Sequence, residues 1–60
     1  MNNILKVGYR VKIIRGEHAG KIGIVLHHDI NQVIVSLDEE NGWVWVSIKD
    51  VEKIYKNKKL

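Results

Sequence analysis

No cysteine, proline or phenylalanine occurs among the 60 residues of this chain. Without cysteine, neither a disulfide nor a thiolate zinc site can form. Domains this short often lean on one or the other. A chain of this size buries only about 60% of the surface that it exposes when unfolded. Its core must therefore come from aliphatic side chains. Aromatic residues are scarce, with two Trp and two Tyr. No stretch is long and apolar enough to span a membrane. The first residues, MNNILKVG, lack the apolar segment of a signal peptide. The expected location is the cytoplasm, with no membrane partner.

What is present is ordinary for a globular domain, with 45% hydrophobic residues. Ten Lys and Arg face seven Asp and Glu, for a net charge of +3. A mild basic bias fits nucleic acid or another acidic partner, and it also serves solubility alone. The glycines concentrate in one place. RGEHAGKIGIV, residues 15–25, holds Gly16, Gly20 and Gly23 between two β-branched runs.

Residues 9–15 (YRVKIIR) put Val11 and Ile13 on one face and Arg10 and Lys12 on the other. That alternation marks a half-buried strand. Ile14 and Arg15 break it and allow a bulge or bend there. Residues 22–28 (IGIVLHH) and 32–38 (QVIVSLD) form further strands, joined across His28-Asp29-Ile30-Asn31. DEENG, residues 38–42, is a polar turn, and WVWVSI, residues 43–48, a fourth strand. Asp50 is placed at the start of a helical turn with Val51 inward, followed by a last strand over EKIY. The tail KNKKL, 56–60, is expected to fray. The result is one all-β domain over 1–60, with five short strands closed into two sheets or a small barrel. Its predicted core is Val11, Ile13, Val25, Val33, Val35, Val44, Val46, Val51 and Ile54.

Gly8-Tyr9-Arg10-Val11-Lys12-Ile13-Ile14-Arg15-Gly16, followed by Gly20-Lys21-Ile22-Gly23-Ile24-Val25, resembles the KOW motif on an SH3-like barrel. The likeness covers about residues 7–55, and the Gly-Lys-x-Gly step is its most telling part. The ending VWVSIKDVEKI resembles the closing strand, 3-10 turn and last strand of such barrels. The resemblance implies a role beside transcription or translation complexes, such as ribosome or polymerase. It also implies that the loop 15–21 is where RNA would be met.

The loop's glycines supply positive φ and let the strands bend, whatever else they do. The functional reading adds Arg15, His18 and Lys21 as donors to phosphate, helped by glycine amides. The loop is not a nucleotide-hydrolysing one: its glycine spacing is short and no hydroxyl follows Lys21. Trp43 and Trp45 share one strand face, opposite Val44 and Val46. Trp43 is expected to meet a partner, by stacking, and Trp45 to cap an open end of the barrel. Tyr9 could join them. His27 and His28 point to opposite faces and do not converge on an ion. Asp38, Glu39 and Glu40 would repel phosphate, so a nucleic-acid face should avoid them. No catalytic set is visible, and no cofactor or metal is implied.

The leading expectation is a non-enzymatic nucleic-acid-binding module, RNA before single-stranded DNA. Lys12, Arg15, His18, Lys21 and Lys49 are its cations and Tyr9, Trp43 and Trp45 its aromatic contacts. The rival is an adaptor that docks on a larger protein complex through its Trp face. A subunit completing another protein's active site is a weaker third. Open edge strands allow a monomer or a weak dimer.

Overall fold

The computed structural model describes residues 5–54. Its elements are β1 (Arg10–Ile13), β2 (Ile22–His28), β3 (Gln32–Leu37), β4 (Trp43–Ser47), a 3-10 turn (Ile48–Asp50) and β5 (Val51–Lys53). Every pairing is antiparallel, in the order β4-β3-β2-β1-β5. The strands expected over 22–28, 32–38 and 43–48 therefore form within one residue of those bounds. The first strand is shorter than expected and stops at Ile13. The last runs over Val51–Lys53 rather than 52–55. Tyr55 and the tail 56–60 lie outside the described residues.

Alternation explains the core. Val11 and Ile13 of β1, Val25 of β2, Val33, Val35 and Leu37 of β3, and Val51 of β5 face inward, with Leu5 below them. Val11, Ile13, Val25, Val33 and Val35 are fully enclosed. Burying a side chain of this size stabilises by roughly 1.5–3 kcal/mol. One apolar core drawn from β1, β2, β3 and β5, with Val44 and Val46 of β4 packed against it, makes this a small SH3-like barrel. Leu5 and Leu37 are additions to the predicted core. Val44 and Val46 are only half-buried, because β4 is an edge and none of the described residues lies beyond it. Ile54 is half-buried too.

One other expectation is corrected. The 3-10 turn ends at Asp50 rather than starting there. Ser47 caps it, accepting a hydrogen bond from the Lys49 amide through its hydroxyl at 3.2 Å. At Ile14 and Arg15 the chain leaves β1 and bends, while the β-bulge lies in β2, where the register slips between Val25 and His27. Leu26 is the extra residue. The slip turns the rest of β2 over, so His27 lies beside Ile34 on the outer face and His28 beside Val33.

The glycines divide into two roles. Gly16 and Gly20 take positive φ, 89° and 94°, and so close the β1–β2 loop. Gly23 does not. It faces the core against β3, where a Cβ would strike the Ser36 carbonyl and come within 2.6 Å of a Val35 methyl.

Candidate nucleic-acid interface

The outer face is built by the same alternation that builds the core. Register aligns Arg10 of β1, Ile24 of β2, Ser36 of β3 and Trp43 of β4 in one cross-strand row. A second row holds His27, Ile34 and Trp45. Trp43 is 55% exposed and Trp45 45%. Trp45 thus does not cap the barrel: both indoles lie outside. The His27 and Trp45 rings meet edge to face, with centroids 6.3 Å apart. Ile24 and Leu26 are exposed beside them. The result is an apolar strip across β2, β3 and β4. Such a contiguous patch is uncommon on a surface without a partner.

Tyr9 does not join the strip. It packs against the core, on the side of β1 that carries Val11, and Lys53 Nζ sits 4.1 Å over its ring.

The predicted cations fall into three groups. Lys12 is exposed on the outer face of β1, two residues from Arg10. Arg15 sits by the 3-10 turn, where its guanidinium donates to the Lys49 carbonyl at 2.8 Å and to Asp50 at 3.4 Å. That brings Arg15 and Lys49 together. Lys21 lies across from them, with Nζ 2.6 Å from a Glu40 carboxylate oxygen. His18 is near enough to add to the positive field on Glu40. The hydrogen bond and charge of Lys21, in that order, hold the Glu40 carboxyl below its ordinary pKa, with His18 adding a little.

The acidic turn is therefore not kept apart from the cations. It answers Lys21 through Glu40 and Arg10 through Asp38, the latter in a two-pronged contact at 3.2 and 2.9 Å. A shallow hollow of about 160 Å³ lies between Gly20, Lys21 and Ile22 on one side and Leu37 to Glu40 on the other. Backbone bonds also occupy part of the loop. The Gly20 amide donates to the Ile13 carbonyl at 2.7 Å and is not offered to a ligand.

Two residues of this surface escaped sequence reasoning. Arg10 was readable as outward-facing, but its place in the Trp43 row needs the register of three strand pairs. His27 was placed by the bulge, for which no residue pattern signalled the position.

A small antiparallel barrel with an aromatic strip on its outer wall and cations at its margins is the class of molecule defined here. A family model for the KOW motif matches residues 7–49, most of the chain, and the chain belongs to that family. No curated protein matches it.

Proposed function

We propose that this KOW module binds single-stranded nucleic acid, RNA before DNA, on the outer face of β2, β3 and β4. It acts by binding alone, in the cytoplasm, as an accessory to a transcription or translation complex. The observation that carries the reading is the pair of outward indoles, Trp43 and Trp45, in rows shared with Arg10 and His27. Bases stack on such indoles with about 1–3 kcal/mol each, with little regard to sequence. Arg10, Lys12, Arg15, Lys21 and Lys49 supply positive charge for the backbone phosphates. Of these, Lys12 and Lys49 make no side-chain ion pair with any described residue. Arg10, Arg15 and Lys21 would have to share or exchange their carboxylates. Their pairs are exposed, and exposed pairs are weak.

That engagement of three cations favours one second reading, a protein adaptor that docks through the apolar strip. Titration of the isotope-labelled protein with short RNA and DNA strands, at low and raised salt, separates the two. Nucleic-acid binding shifts the indole signals and the Arg10, Lys12 and loop amides, and the shifts fade with salt. An unchanged spectrum at low salt overturns it.

A further inference from the structure

The strand that carries both tryptophans is also, among the described residues, an open edge of the sheet. Antiparallel pairs alternate between residues that exchange backbone hydrogen bonds and residues that do not. The Ile48 amide bonds to the Asn31 carbonyl, and the Leu37 amide to the Gly42 carbonyl. These bonds set the phase of the β3–β4 ladder. With the observed register, Val44 and Val46 point their backbone groups at β3. Trp43, Trp45 and Ser47 point theirs away from it, and none of those groups has a backbone partner among the described residues.

Sheet edges are normally blunted by charge, proline or a bulge. β4 has none of these: its sequence is WVWVS. The opposite edge, β5, is three residues long and carries Glu52 and Lys53.

From this we infer that β4 pairs antiparallel with β4 of a second copy, about a two-fold axis at Trp45. The register follows from the phase. Trp45 meets its own equivalent, and Trp43 meets Ser47 of the other copy. All of these are residues whose backbone groups face the edge, so each pair exchanges two hydrogen bonds. Val44 then lies beside Val46 of the other copy, which covers the half-buried rim of the core. On the outer face, the row His27–Ile34–Trp45 runs on into its symmetry mate. No charged residue of β4 meets its like, because β4 has none.

Charge also favours a copy over an unrelated strand. Antiparallel pairing brings the acidic turn that precedes β4 toward Lys49 of the other copy, which follows its β4. Glu39 and Lys49 are both exposed, and neither makes an ion pair with a described residue. Such an isologous contact closes as a dimer and does not propagate. It stands apart from the nucleic-acid reading and survives that reading's failure.

Sedimentation of the protein without nucleic acid, from micromolar to millimolar, tests it. The expected mass rises toward twice the 7.0 kDa of the chain. Over the same range, exchange of the Trp43, Trp45 and Ser47 amides slows by several-fold or more, while that of Lys12 does not change. Trp45→Lys and Trp45→Glu each place like charges opposite one another and hold the protein monomeric. Mixing the two restores a heterodimer. A wild type that stays at chain mass at millimolar concentration overturns the inference. So does a dimer that leaves those three amides unprotected and ignores both substitutions.

Discussion

The two faces of β2, β3 and β4 are made from the same strands and carry opposite consequences. Inward, Val25, Val33, Val35 and Leu37 are almost wholly out of water. Outward, Ile24, Leu26, Trp43 and Trp45 keep between a third and just over half of their surface in it. Hydrophobicity alone does not separate the faces, since the outer one holds the larger side chains. Closure does. The inner face is covered by β1, β5 and Leu5, whereas the described residues place nothing over the outer one. Apolar residues on the inside thus report on stability, and those on the outside are free to report on a partner.

Substitutions ranked by effect can break this contrast. The largest falls at Gly23, where a methyl group has no room against the Ser36 carbonyl. Gly23→Ala is expected to cost about 3 kcal/mol or more, because backbone must move. For a domain of this size that is enough to abolish cooperative unfolding by urea. A variant as stable as wild type would mean that β2 and β3 do not approach so closely. Next comes Val35→Ala, at a fully enclosed site. Removal of two buried carbon groups and the cavity left behind should cost about 2 kcal/mol, read from the denaturation midpoint.

On the outer face the order reverses. Trp43→Ala should cost about 1 kcal/mol or less of stability but weaken single-strand binding by about 1–3 kcal/mol. If it unfolds the protein, the indole belongs to the core and the contrast between the faces fails. Arg10→Gln breaks an exposed ion pair with Asp38, for less than about 1 kcal/mol of stability. If Arg10 meets a phosphate, the salt slope of binding falls by about one. An unchanged slope assigns Arg10 to Asp38 alone.

The smallest effect belongs to Glu40. Its carboxyl is held below its ordinary pKa in the folded state, chiefly by the Lys21 hydrogen bond. A depressed pKa stabilises the fold fully above the unfolded-state value, and that contribution is lost as pH falls through the folded one. Glu40→Gln should therefore flatten part of the acid limb of a stability–pH curve and leave the shape of its alkaline limb unchanged. Superimposable acid limbs would show that the Lys21–Glu40 contact does not persist in solution.

Legibility was uneven for physical reasons. β2 was readable to the residue, because a β-branched run lay between a glycine loop and a polar turn. Val11, Ile13, Val33 and Val35 were readable as core by strict alternation, Val25 by its β-branched run, and Val51 by its place on the inner side of the turn after Ser47. Leu5 was not, since it precedes the first strand and no periodicity marks it. Val44 and Val46 alternate as well as any core valine, yet alternation cannot say that their strand is an edge. The exposure of Trp43 was anticipated and that of Trp45 was not, for both depend on what the barrel end covers.

By itself, then, the sequence determined the number of strands, the face taken by the side chains of β1, β3 and β4, and the glycines that the β1–β2 loop requires. These follow from period-two alternation and local backbone sterics, which act between near neighbours. Only the tertiary structure decided that Trp45 stands beside His27, that Lys21 is held by Glu40 and that β4 is left as an edge. All three depend on strand order, and the first depends also on one slipped residue at Leu26. Register between distant segments is set by the packing of the whole sheet, and no local pattern encodes it.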